Sequence, residues 1–479
     1  MNMNPDGHAF SPQSTLRRLD GDVLQVVLEL LRPGRCLRPL SMTCKWLRAA
    51  CAPVLFRTCA VKSDMLDRTY ESEFIPCSLW PYVRNLSFTG YFSRNEIQWL
   101  NLAIDHRLDP YLLEEGFNEK LETVKQNSAA LREAIGSMQS LTSIDICLPH
   151  RTDPRDPERI TGISPYILEA ILSTPHLRHL SIAGPLFHPR DSLPSDATCP
   201  SLAELSSFNY YYDLERSPAQ VSGAEREQIT RILACAHGHL EELNLPAECA
   251  SIDQMGSWEW PSLRNLVLRG ETVASSKPLA HMLSNMPRLR SITLFLAEPA
   301  DSSHSPSSWP SSPALQLKWR DLETLDITHP HPEAEIYSHL SHNLLSLALR
   351  CWPRHYKLNT RFQEDLPAGG AQWSSPLLSS SDMLRILQRV DAPRLHDLQL
   401  EFRADYSDAQ LFRHIASAFP SLKVLCIHRY RMTGETEVPL ASSFSCGAFM
   451  ILVLTVIYVG HDCAFTFCPA PPETAHAPS

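Results

Sequence analysis

Leu177-Arg-His-Leu180-Ser-Ile182, preceded by Thr174-Pro175-His176, is a phrase that returns along almost the whole chain. Leu263-x-x-Leu266-x-Leu268 follows Pro261, and Leu289-x-x-Ile292-x-Leu294 follows Pro287. Leu395-x-x-Leu398-x-Leu400 follows Pro393, and Leu422-x-x-Leu425-x-Ile427 follows Pro420. Each reads as a short strand whose last two apolar residues are two apart, so their side chains share one face. The proline two residues earlier marks where a helix has already stopped. The stretches before these prolines carry helical spacing: Leu279, Met282, Leu283, Met286 and Met383, Ile386, Leu387, Val390. Ser164-Pro165 offers an N-cap and an N1 proline ahead of Ile167, Leu168, Ile171 and Leu172.

The unit is therefore helix, proline, strand, loop. One such unit cannot bury its own apolar face, so the units must stack. Further copies lack the proline: Leu141/Ile144/Ile146, Leu240/Leu243/Leu245, Leu322/Leu325/Ile327 and Leu344/Leu347/Leu349. Val83/Leu86/Phe88 and Leu202/Leu205/Phe208 read as degenerate copies. First positions run 83, 141, 177, 202, 240, 263, 289, 322, 344, 395 and 422, so several loops are enlarged. The series resembles the leucine-rich-repeat family in an irregular version. The expected fold is α/β: a small N-terminal helical module, then an irregular solenoid with a parallel sheet.

Composition narrows the function classes. With 43 Lys and Arg against 53 Asp and Glu, the formal charge is −10. That argues against a nucleic-acid binder, because phosphate binding needs a basic surface. The 14 cysteines are scattered without a C-x-x-C pair, and Met1–Gln13 lacks an apolar signal core. A reducing compartment, cytoplasm or nucleus, is expected, with cysteines serving as small apolar residues.

Residues 16–60 read differently from the repeats. Leu19, Val23, Leu24, Val27, Leu28 and Leu31 make an amphipathic helix that Asp20-Gly21-Asp22 can cap. After Pro33-Gly34 a second helix carries Leu37, Leu40, Cys44 and Leu47, and Pro53-Val54-Leu55-Phe56-Arg57 comes next. So few residues make a small core that a partner or the next domain usually completes. The pattern from Leu19 to Leu31, then Leu37-x-x-Leu40-Ser41-x-x-Cys44-Lys45-x-Leu47-Arg48, resembles an F-box standing directly before leucine-rich repeats. The resemblance implies docking through these ten apolar residues on a Skp-type adaptor, and through it on a cullin ubiquitin ligase. The usual Leu-Pro opening is Leu19-Asp20 here, Leu47 stands at the usual aromatic position, and Pro39 falls near the start of the second helix. The bland alternative is a helical cap over the first repeat.

A charged helix is expected from Asn118 to Ile135, with Leu121, Val124, Leu131 and Ile135 on one side. Residues 150–159, 187–195, 301–313 and 353–380 read as loops; Ser305-Pro306 and Ser312-Pro313 are either phosphate acceptors or parts of a plain flexible loop. The repeats are expected to occupy 61–436, with 1–15 and 437–479 poorly ordered. Phe449–Val459 is apolar except at Thr455, short of the about 20 residues that span a bilayer. A buried final strand or helix, a tail anchor and an unselected chain end remain alternatives.

No nucleophile elbow, P-loop, dinucleotide fingerprint or H-E-x-x-H occurs. His329, His331, His339 and His342 cluster without a ligand set at fixed spacing, and His461, Cys463 and Cys468 form only an H-x-C-x4-C. No metal, cofactor or catalytic residue is expected. What remains is a surface. The residues between the leucines alternate onto a concave sheet face, small in Asn85, Ser87, Ser143, Asp145, His179 and Ser181. Later they are larger: Arg269, Phe295, Arg350, Gln399, Glu401, Arg403 and His428, with Trp352 and Tyr430 just beyond their strands. Arg and aromatics dominate binding when desolvated, so this half is the expected substrate surface, with Arg350 and Arg403 pairing anions. Ordinary solvated strand residues are the alternative. The whole chain has three readings: a substrate adaptor of a ubiquitin ligase, a scaffold with a helical cap, and an enzyme of unfamiliar site.

Overall fold

The computed structural model describes residues 19–32, 36–62, 75–89, 125–147, 163, 165–184, 200–211, 221, 223–271, 279–299, 319–350, 373–374, 377–431 and 453–459. Two compact units are distinguished: residues 1–251 with 258–262, and residues 252–257 with 263–479. Both are α/β, with one parallel strand per repeat, which is the leucine-rich-repeat fold.

The first unit begins with three helices, α1 (Gly21–Leu31), α2 (Leu37–Thr43) and α3 (Lys45–Leu55). Asp20 caps α1 by accepting from the Asp22 N–H at 2.9 Å. The single helix expected from Leu37 through Leu47 is broken at Cys44, which is extended at φ −156° and ψ 162°. Its Sγ accepts from the Leu47 N–H at 3.4 Å and so caps α3. The hydroxyls of Ser41 and Thr43 turn back onto the carbonyls of Arg38 and Leu40, competing with continued helix. Pro39 sits in the first turn of α2, where no backbone N–H is needed. Leu28, Leu37, Cys51 and Val54 form the small core of the module.

The chain then enters a sheet of β1 (Thr58–Lys62), β2 (Asn85–Thr89), β3 (Ser143–Cys147), β4 (His179–Ala183), β5 (Ser207–Tyr211) and β6 (Glu242–Pro246). All neighbours are parallel and in chain order. β1 was not expected, because Thr58-Cys-Ala-Val-Lys62 offers only Val61 to the core. The register stacks Leu86, Ile144, Leu180, Phe208 and Leu243 in one buried row. The first leucine of each phrase lies just ahead of its strand, buried in the turn, as Leu141, Leu177 and Leu240 are. For β5 the register corrects the sequence reading. Phe208 and Tyr210 point inward, so the triad is Leu205/Phe208/Tyr210 rather than Leu202/Leu205/Phe208. The Tyr210 hydroxyl donates to the buried Glu225 of a helix (Gly223–Ala236), which lets a polar-tipped ring serve as a core residue.

The stretches read as helical from their spacing at 165–172, 279–284 and 380–387 are helices. Residues 125–137 are helical with Leu131 and Ile135 buried, and Pro165–Leu172 begins on its proline. Residues 118–124 and Ser164 lie outside the described residues.

The second unit repeats the scheme with β7 (Asn265–Glu271), β8 (Ser291–Pro299), β9 (Thr324–Thr328), β10 (Ser346–Arg350), β12 (Asp397–Arg403), β13 (Val424–Tyr430) and β14 (Val453–Val459), again parallel and in order. A two-residue β11 (Trp373–Ser374) returns antiparallel to the end of β8. The tail segment 453–459 is thus a strand beside β13. The remainder of 437–479 lies outside the described residues, as do 150–159, 187–195 and 301–313, the segments the sequence reads as loops.

Two helices of this unit share one carboxylate. The helix Ser380–Leu387 has a capping box between Ser379 and Asp382. Asp405 accepts from the Ser380 hydroxyl, the Ser381 hydroxyl at 2.6 Å and the Ser381 N–H at 3.1 Å. It also accepts from the N–H of Ser407, just before the helix Asp408–Ala418, at 2.7 Å. Burial alone would raise this carboxyl, but the hydrogen bonds prevail and hold it at about 2. The folded value lies below the unfolded one, so the stabilisation is complete above about pH 4 and is lost as pH falls through about 2. Asp405→Ala is expected to cost about 2–4 kcal/mol in chemical denaturation at neutral pH, and to flatten the acid limb of stability.

Candidate functional site

Two surfaces emerge. The first is on α1, which carries two apolar stripes roughly a third of its circumference apart. Leu24, Leu28 and Leu31 face the module core, where Leu28 is buried. Val23, Val26, Val27 and Leu30 form the other stripe and are exposed, Leu30 at 76 % and Val26 at 58 %. Leu19 and Met42 are exposed as well. Of the ten residues expected to face an adaptor, Leu28, Leu37 and Leu47 are therefore interior, while Leu24, Leu31, Leu40 and Cys44 are half-buried. Leu19, Val23 and Val27 remain on the outside. Val26, Leu30 and Met42 were missed, although Val23-x-x-Val26-Val27-x-x-Leu30 is itself a helical spacing.

The second surface is the open face of the sheet in the second unit. Parallel register sorts its side chains into rows. One row holds Val267, Thr293, Asp326, Ala348, Gln399 and Cys426. The next pairs Arg269 with Phe295, Thr328 with Arg350, and Glu401 with His428. Thr328 is small, and its hydroxyl is turned onto β8, donating to the Leu296 carbonyl at 2.7 Å and accepting from its N–H at 2.8 Å. That leaves room for Arg350 to reach across two strand spacings, roughly 10 Å, to the ring of Phe295. The Arg350 guanidinium carbon lies 5.2 Å from the ring centroid and that of Arg269 5.4 Å.

Arg350 is also held from behind. Its Nη2 donates to Asp326 Oδ2 at 2.9 Å and to Gln399 Oε1 at 3.1 Å. Its carbonyl accepts from the N–H of His329 at 2.9 Å, a contact made with His329 in the left-handed region at φ 52°. Asp326 is mostly buried, and burial pushes its carboxyl up to about 6 although Arg350 and Arg269 pull it down. Its Oδ1 is buried without a hydrogen-bond partner among the described residues.

These contacts correct several expectations. Arg350 is not a solvated cation awaiting an anion but one already shared with Asp326. Phe295 is only 5 % exposed, with two guanidinium groups over its ring. Glu401 is 2 % exposed and accepts from the Tyr430 hydroxyl at 2.6 Å. Arg269 and Arg403 are exposed, and Gln399, His428 and Tyr430 are half-buried. Trp352 lies outside the described residues. Asp326 was missed; its signal was a lone acid between Leu325 and Ile327, on the open face of its strand.

Among the described residues no three His, Cys, Asp or Glu side chains converge as a metal-ligand set. No helix among them is long and apolar enough to cross a membrane. No protein-family model matches the chain. No curated protein matches it either. Among solved structures, the crystal structure of a TLR13–ssRNA13 complex is similar at 13 % identity and a TM-score of 0.28, over 74 % of this chain. The chain spans 44 % of that protein's length. The fold assignment rests on the repeat geometry described above.

Two tests separate core from surface. In the full chain, Leu28→Ala is expected to cost about 2–5 kcal/mol, while Leu30→Asp stays within about 0.5 kcal/mol of wild type by chemical denaturation. Asp326 has a folded pKa above its unfolded value, so its contribution to stability falls as pH rises from 3.8 through about 6. Asp326→Asn should remove that part of the pH profile.

Proposed function

We propose that the protein is a non-catalytic substrate-recognition subunit of a cullin-type ubiquitin ligase, working in the cytoplasm or nucleus. Its N-terminal helices dock on a Skp-type adaptor, and the open sheet face of its repeats holds the protein to be ubiquitinated. The leucine-rich-repeat fold makes protein interaction the natural use of that face. One observation carries the finer reading. The module has its own core in Leu28, Leu37, Cys51 and Val54, yet α1 presents a second apolar stripe to solvent. A helix that merely capped the first repeat would have no use for Val23, Val26, Val27 and Leu30 on its outside. Stripes of this kind mark interaction sites, and the F-box-like order of apolar residues around them names the partner class.

Titration of the purified full chain with a purified Skp-type adaptor tests this reading. Wild type is expected to bind saturably. Leu30→Asp is expected to weaken binding at least about thirtyfold, the loss of roughly 2 kcal/mol that defines a hot spot, with an unchanged melting temperature. A wild-type chain that shows no adaptor binding would remove the ligase reading.

A further inference from the structure

The last strand of the second unit lacks the guards that the first strand of the other unit has. β1 (Thr58–Lys62) is five residues long and carries a lysine. Shortness and charge are common ways to blunt a sheet edge. β14 reads Val453-Leu-Thr-Val-Ile-Tyr-Val459: seven residues with no charge, no proline and no glycine. It lies parallel to β13 and in register with it, from Val424 beside Val453 to Tyr430 beside Val459. Among the described residues no strand follows it in the order of the sheet. One set of its backbone N–H and C=O groups is turned to β13, and the alternate set points along the sheet away from it. We propose that β14 pairs antiparallel with β14 of a second copy of this chain, about a two-fold axis at Val456, so that the sheet continues from one protomer into its partner.

The occupant is argued from the order of the residues and from charge. Val453-x-x-Val456-x-x-Val459 reads the same in both directions. In an antiparallel pair centred on Val456, positions 453 and 459 face each other across the two copies, as do 454 and 458, and 455 and 457. The pairs are then valine with valine, leucine with tyrosine and threonine with isoleucine. Pairs of β-branched and aromatic residues are those that stabilise a sheet. A strand meant for an unrelated peptide has no need of this mirrored order. Charge points the same way. The whole chain carries −10, so two copies repel, and a contact between them calls for a stretch without charge. β14 is such a stretch. A two-fold axis perpendicular to the sheet keeps the open face on the same side in both protomers. It also uses the same edge of each, so assembly closes at two copies.

Sedimentation velocity of the full chain over a concentration series tests the pairing. A reversible monomer–dimer equilibrium is expected, and a weak one, because a single strand pair is a small interface. Two double variants test the register. Thr455→Lys with Ile457→Lys sets like charges opposite each other at two symmetric places, and should weaken the dimer roughly tenfold or more. Thr455→Glu with Ile457→Lys sets opposite charges there, and should hold the dimer within about threefold of wild type. Positions 455 and 457 stand in register with Cys426 and His428, which are half-buried, and not with the buried Leu425 and Ile427. The two variants carry the same number of new charges, so any general loss of folding affects both alike and the difference between them reads the pairing. A chain that is monomeric at every concentration overturns the proposal, as it would if another part of this chain covered the edge. Equal self-association of the two variants, both strong or both lost, overturns the antiparallel register. Species that grow beyond a dimer with concentration overturn the two-fold closure. None of these outcomes depends on adaptor binding, so failure here leaves the ligase reading to its own titration.

Discussion

Register within each unit hangs on one repeated backbone arrangement. At most strand entrances a single carbonyl accepts two successive N–H groups from the next repeat. Thr142 accepts from Arg178 and His179, Arg178 from Ser206 and Ser207, and Ser206 from Glu241 and Glu242. The second unit does the same at Arg264, Arg290, Glu323, Leu345 and His396. Both lone pairs of the oxygen are used, so a slip of one residue would strand two donors at every junction. Such a slip would also turn every inward leucine to the open face. The residues that supply these groups stand between the leucines of each phrase, which is why those positions tolerate Arg, Ser, Thr and Glu. Their side chains are incidental to the backbone contact.

The same register builds the surface. Because equivalent positions stack strand on strand, side chains far apart in sequence come to share a row. Arg350 and Asp326 are 24 positions apart and Arg350 and Gln399 are 49 apart, yet all three meet on the open face. Chemistry there is set by combination. A guanidinium beside a buried carboxylate is a different object from a guanidinium beside water, although the sequence writes both as Arg.

This marks how far the residues can be read in advance. The spacing of leucines announced the strands because burial at two-residue intervals is a local rule. It failed at β1, where Val61 alone is buried, and at β5, where Tyr210 took an inward place that its hydroxyl needed Glu225 to make acceptable. The break at Cys44 escaped because the competition between hydroxyls and helix is decided by side-chain rotamers. On α1 the core stripe and the exposed stripe are both apolar, so the split between Leu28 and Leu30 had to come from packing. On the sheet, alternation put Phe295 and Glu401 outward correctly but said nothing about what would cover them.

The carboxylate of Asp405 ties the first turns of two successive helices together, and its effect reaches beyond their stability. A stacked array with only nearest-neighbour contacts can fray from its ends one repeat at a time. Here opening either helix alone strands the charge that the other needs. The two repeats therefore open as one cooperative block, and their slowest amide protons should exchange with solvent in a single shared event.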